Sequence, residues 1–224
     1  MNRVIIIFLL LGLARISWAE IPLTQLYGLR EVTALEQLIS QEQNAKNTPD
    51  EQKRLGIAWH NLAVLEQSGA AQKAYDILKP LAKILPKDYE VLAYLGSAQT
   101  MVGRDSWNPI SKISDVNKGI AQLDQAVSKA EDNYVIRLVR INNSMALPGF
   151  LGRGGKVKPD LEYLLNLYKH VEAPIENRAE VYFKMGQVLV KEDKNEEAKT
   201  YFKQAIETAP SSEWAKQAKE ALND

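Results

Sequence analysis

Apolar residues recur at helical spacing along nearly the whole chain, and no segment alternates as a strand would, so the pattern predicts an all-α protein. Leu26, Leu29, Leu35, Leu38 and Ile39 form one apolar face, and a polar connection follows over 41–47. Thr48-Pro49-Asp50-Glu51 reads as a helix start, with Thr48 as N-cap, Pro49 at the first helical position and Glu51 closing a capping box. That helix runs to about residue 67. Farther on, Ser114 or Asp115 caps a helix through Ala130. Asp132-Asn133 opens another, whose Val135, Ile136, Leu138, Val139 and Ile141 leave a polar stripe of Arg137, Arg140 and Ser144. Pro159 then marks a helix start leading into Leu161, Leu164 and Leu165. Two stretches break the pattern: 104–114, with Trp107 and a turn at Asn108-Pro109, and the glycine-rich 147–159.

The N-terminus has a different character. Arg3 precedes an apolar run from Val4 to Leu13, and Ser17-Trp18-Ala19 ends in the small residues that a signal peptidase reads. The run is shorter than the roughly 20 residues of a spanning helix, and no later stretch reaches that length. Residues 1–19 are expected to be a cleaved secretory signal; retention as an anchor is the alternative, kept open by Arg15. Removing Arg3 and Arg15 takes the 28 basic residues to 26 against 28 acidic ones, a net charge of −2. Near-neutrality gives no case for nucleic acid or a polybasic membrane contact. The chain has no cysteine, which excludes disulfides, thiolate metal sites, a cysteine nucleophile and a lipidated N-terminal cysteine. A periplasmic or secreted location follows as an expectation.

Near the C-terminus, Tyr182, Met185, Gly186, Ala198, Phe202 and Pro210 stand at fixed offsets that resemble the tetratricopeptide repeat, a helix–turn–helix unit here spanning 179–212. Trp59, Gly69, Ala74, Leu78 and Pro86 resemble an earlier copy, and Leu95-Gly96 with Gly103, 34 residues after Gly69, a second. A third is degenerate. Between Gly103 and Gly119, which takes the small-residue position of the next helix, about eleven extra residues are inserted, by comparison with the repeat template. The resemblance implies a right-handed α-solenoid of antiparallel helix pairs. It would comprise an N-terminal helix and connection over 20–47, an array of about four repeats over 48–224, and a capping helix at 212–222 carrying Trp214, Ala215, Ala218 and Leu222.

Catalytic and cofactor motifs do not emerge. Around Gly155, Phe150 stands five residues before and Val157 two after, where a phosphate-binding loop needs glycine and a hydroxyl residue, and no strand precedes the loop. His60 and His170 have no partner at i+4 that would make a zinc pair, and Gly96-Ser97 lacks the second glycine of a nucleophile elbow. No enzyme and no cofactor is expected. The resemblance instead implies a binding groove on the first helices of the repeats. Its positions would be Glu180, Phe183, Gln187 and Val190 in the fourth repeat; Glu90, Ala93, Ser97 and Thr100 in the second; and His60 or Trp59 in the first. Ala93 and Ser97 depart from the Lys, Asn and Arg set with which chaperone-binding members hold a C-terminal carboxylate. Arg137 and Arg140 either pair with neighbouring acids or engage an acidic group of a partner. Trp107, Phe150 and Arg153 are candidate loop contacts, Trp107 having the alternative of packing back over the helix ends. The expected function is a scaffold that binds a protein or peptide of the cell envelope in this groove. The alternative is a solute-binding protein whose pocket is closed by the two interruptions. Self-association through the groove is a further option.

Overall fold

A computed structural model describes residues 22–42 and 48–223; the expected signal segment and most of the 41–47 connection lie outside them. Every regular element among the described residues is helical. In chain order these are α1 (Leu23–Leu26), α2 (Val32–Glu42), α3 (Pro49–Val64), α4 (Ala70–Ile84), α5 (Tyr89–Asp105) and α6 (Pro109–Lys129). They continue with α7 (Tyr134–Ala146), α8 (Gly154–Leu167), α9 (Ile175–Lys191), α10 (Asn195–Thr208) and α11 (Glu213–Asn223). Sequential helices pack as hairpins, α3 on α4, α5 on α6, α7 on α8 and α9 on α10, while α3 also meets α5 and α5 meets α7. The fold is therefore an α-solenoid with an inner layer of odd-numbered helices, and α11 covers the last hairpin by packing on both α9 and α10.

Capping chemistry sets most boundaries. Thr48 Oγ1 accepts from the Glu51 N–H while the Glu51 carboxylate accepts from the Thr48 N–H at 2.7 Å, so the expected capping box is formed. The first apolar face is broken into two helices. Glu31 accepts from the backbone N–H groups of Thr33 and Ala34, which starts α2 afresh after a turn at 27–30. The 104–114 interruption is mostly helix rather than loop. Asn108 caps Ile110 and Ser111, and Pro109 occupies the first helical position, so α6 begins there and not at Ser114 or Asp115. Likewise α8 starts at Gly154 and runs through Pro159. Pro159 lacks the N–H that would bond the Gly155 carbonyl, so the helix runs through it with one hydrogen bond fewer.

Two glycine contacts explain how closely the layers approach. A Cβ on Gly96 would lie 2.7 Å from the Gly119 carbonyl oxygen, and one on Gly119 would lie 2.4 Å from that of Gly96, so α5 and α6 touch through their backbones. In the last hairpin Gly186 instead makes room for a side chain, the Phe202 ring. The core divides into two clusters, one from Leu26 to Val139 and one from Leu138 to Ala218, which meet on α7. The degenerate third repeat is thus the joint between the halves of the array.

Candidate functional site

The inner helices enclose a cavity of about 470 Å³ on the concave side. Its N-terminal wall is supplied by the segment around α1, which crosses the groove. Asn61 Nδ2 donates to the Leu26 carbonyl at 2.8 Å, and the Tyr27 hydroxyl donates to Glu90 Oε2 at 2.5 Å. The Tyr27 ring stacks on Tyr94, with centroids 6.1 Å apart. A Cβ on Gly28 would stand 4.0 Å from Asn177 Oδ1 on α9, so this segment bridges from the first repeat to the fourth. The open groove expected of the repeats is thereby converted into a pocket.

The floor is a polarised hydrogen-bond chain. Because Asn61 spends its amide N–H on Leu26, its Oδ1 is the acceptor for His60 Nδ1–H at 3.2 Å, and His60 Nε2 accepts the Ser97 hydroxyl at 2.9 Å. Burial pushes the imidazole down to about 3; the Asn61 bond opposes the shift and the Arg30 charge adds to it. So weak a base does not activate Ser97, and the trio fixes the floor instead. Beside it, Thr100 Oγ1 donates to the Ser97 carbonyl and accepts from Asn143 Nδ2, while the buried Asn143 Oδ1 has no partner among the described residues.

The sequence-predicted groove residues separate into three groups. His60 and Ser97 line the cavity together with Glu180, and Phe150 stands at its mouth, 85% exposed. Glu90, Arg137, Arg140 and Arg153 do not line it, because each is held in an ion network. Although burial alone would raise the Glu90 carboxyl, bonds from Lys53, Tyr27 and Asn133 hold it below the usual range. Asp160 on α8 takes Arg137 at 2.8 Å and Arg140 at 2.6 Å, and Asp124 on α6 takes Arg140 at 3.1 Å and Arg153 at 2.7 Å. Of the two readings of the arginine stripe, pairing with neighbouring acids is what the geometry shows; the pairs tie α6, α7 and α8 together. Arg153 is accordingly buried rather than a loop-tip contact.

On α9 the cavity-facing stripe is Asn177, Glu180 and Lys184, not Phe183 and Gln187. Phe183 is core: its ring lies 5.7 Å from that of Phe202 and 5.8 Å from that of Trp214, because α11 covers that side of α9. Trp107 does not pack back over the helix ends. It is 91% exposed in the short link between α5 and α6 and does not line the cavity. Arg30, Lys184 and Trp214 line the cavity without having been singled out from the sequence as groove residues.

Helix hairpins stacked around a concave pocket define an α-solenoid. Residues 179–212, which cover α9 and α10, match the tetratricopeptide repeat family model. The match covers that one hairpin, and the other hairpins share its helix–turn–helix architecture. The fold of the chain is similar to the crystal structure of a thermophilic tetratricopeptide-repeat protein of Thermus thermophilus, at 18% identity and a TM-score of 0.67 over 89% of this chain and 95% of that one. No curated protein matches the sequence. Among the described residues, no helix is long and apolar enough to cross a membrane, and no group of three or more His, Asp or Glu side chains is placed to hold a metal ion.

Proposed function

We propose that this protein is a periplasmic or secreted interaction scaffold that takes an apolar segment of an envelope protein at the mouth of its concave cavity. The carrying observation is the mouth itself. Val64 at the end of α3, Ile113 in α6 and Phe150 in the α7–α8 link line the cavity and yet are exposed, and Trp107 and Ile110, close in sequence to Ile113, are exposed as well. Exposed apolar side chains gathered at one concave edge are the usual mark of a docking site. Export rests on Arg3, the Val4 to Leu13 run and Ser17-Trp18-Ala19. Cell fractionation with N-terminal sequencing tests it: a mature chain starting near Glu20 supports export, and an intact N-terminus in the cytosol refutes it. Affinity purification from envelope extracts tests the docking face. Ile113→Glu and Phe150→Asp should lose a partner that wild type and the outer-surface control Ile84→Glu retain; the same partners in all four would dismiss the mouth.

A second reading, binding of a small solute, is favoured by a separate observation. Both interruptions contribute to one pocket, Lys112 and Ile113 from the first, Pro148 and Phe150 from the second. Its volume of about 470 Å³ falls in the range of small-molecule sites.

A further inference from the structure

The cavity lining mixes Glu66, Arg104 and Lys112 with the apolar Val64, Ile113 and Phe150, and its inner end is cationic. Arg30 lines it, and Arg30 Nη1 donates only to neutral backbone carbonyls, those of Leu29 at 2.9 Å and Tyr27 at 3.4 Å. Among the described residues no carboxylate pairs with it. Lys184 enters from α9, 9% exposed, with its Nζ 3.7 Å from Glu180 and 4.9 Å from the centre of the Trp214 ring. Burial lowers the Lys184 ammonium from its ordinary value; Glu180 opposes the shift, and the charge of Arg30 deepens it, as it does at His60. Two cations and one carboxylate therefore share a partly desolvated space, leaving one positive charge without a counterion. Such a charge is costly to keep in a largely apolar enclosure.

The remaining wall dictates the rest of the occupant. From the cationic end the lining passes through Leu138, Val139 and Met101 to Ile113 and Phe150 at the mouth. A dianion such as phosphate would overcompensate the single excess charge and meet Glu180. An ammonium compound would add to the excess, and a neutral hydrocarbon would leave it unpaired.

We propose that the cavity binds an amphipathic monocarboxylate, its acid group held between Arg30 and Lys184 and its hydrocarbon body lying along Leu138 and Val139 toward Phe150. This rests on the solute-binding reading of the pocket. The same chemistry is carried by a free medium-chain acid and by a peptide with an apolar C-terminus; closure of the groove by the α1 segment favours the free acid.

The test is isothermal titration of the mature protein with decanoate, decanol, decylammonium and a short apolar peptide with a free or amidated C-terminus. Decanoate should bind on the order of tenfold or more tighter than decanol, and Arg30→Gln and Lys184→Met should each remove that advantage while leaving decanol binding intact, as loss of a charge-assisted bond requires. Equal binding of decanol and decanoate, or a decanoate affinity unchanged by Arg30→Gln, overturns the assignment while the solute reading stands. Tighter binding of the free-acid peptide than of decanoate overturns the choice of a small ligand. Binding of none of the five overturns the solute reading itself.

Discussion

Ser97 donates its hydroxyl proton to His60 Nε2 across 2.9 Å, joining α5 to α3 at the floor of the cavity. Its direction is forced from one end: the Leu26 carbonyl orients the Asn61 amide, Asn61 sets the His60 tautomer, and His60 claims the serine proton. A carbonyl of the groove-crossing segment thereby determines which lone pairs the floor offers to an occupant.

This chain has a measurable pH signature. With the folded imidazole near 3 and an unfolded value of about 6.5, the unfolded chain binds one proton more between those limits. The stabilisation held above about pH 6.5 is therefore lost as pH falls toward 3, at roughly 1.4 kcal/mol per unit within that window. Urea unfolding at pH 7 and pH 5 should show His60 costing wild type about 2 kcal/mol between the two. His60→Gln should lack that component. Equal pH slopes in the two proteins would contradict a buried, neutral His60.

Gly96 and Gly119 make a prediction about packing alone. Gly96→Ala or Gly119→Ala places a methyl group against a backbone carbonyl that cannot swing aside, so either should cost about 1–3 kcal/mol by prying α5 from α6. Gly154→Ala, at an uncrowded position in the first turn of α8, should be neutral or stabilising by up to about 1 kcal/mol. Thermal denaturation of the three variants distinguishes backbone contact from a general intolerance of alanine.

Tyr27 tests whether the α1 segment is a fixed wall. Tyr27→Phe removes one of three donors to Glu90 but leaves Lys53 and Asn133 in place, so the loss should be about 1 kcal/mol. Backbone amides near Leu26 should exchange hydrogen faster in the variant while those of α9 keep their rate. Unchanged exchange at Leu26 would mean that the Asn61 bond and the Tyr94 stack hold the segment without the hydroxyl.

Much of the architecture was readable because its determinants are local. Gly186, Ala198 and Phe202 stand at the offsets of the repeat they resemble, and Gly119 falls at that repeat's small-residue position, where the structure packs it against Gly96. Helix starts failed where one dipeptide serves two structures: Asn108-Pro109 fits a turn and equally an N-cap with proline at the first helical position. The site was less legible, since its residues are selected by contacts distant in sequence. Arg137 and Arg140 look like a free stripe until Asp160, on the next helix, is brought beside them. Phe183 and Lys184 are neighbours on α9, and only the position of α11 decides that the first is core and the second faces the cavity.

Asp160 provides the sharpest test of that network. Its carboxylate, nearly inaccessible, bonds both Arg137 and Arg140, while the Arg137 guanidinium also lies 3.6 Å over the Tyr163 ring and donates through Nε to the Glu131 carbonyl. Asp160→Asn keeps the shape but removes the charge, leaving Arg137, Arg140 and Arg153 with Asp124 as the one carboxylate of the network, paired to the last two. Losing one partner of a buried pair costs about 3–5 kcal/mol. Replacing Asp124, whose side chain is 37% exposed, should cost less, because solvent can take over part of its role. Urea titration of Asp160→Asn, Asp124→Asn and the double variant should therefore show the first as the more damaging and the pair as non-additive, since both acids serve Arg140. If the network holds α6, α7 and α8 together without forming part of the pocket, Asp160→Asn should leave ligand or partner affinity unchanged at temperatures where the variant remains folded. A loss of affinity in the folded variant would return the arginine pair to the binding surface.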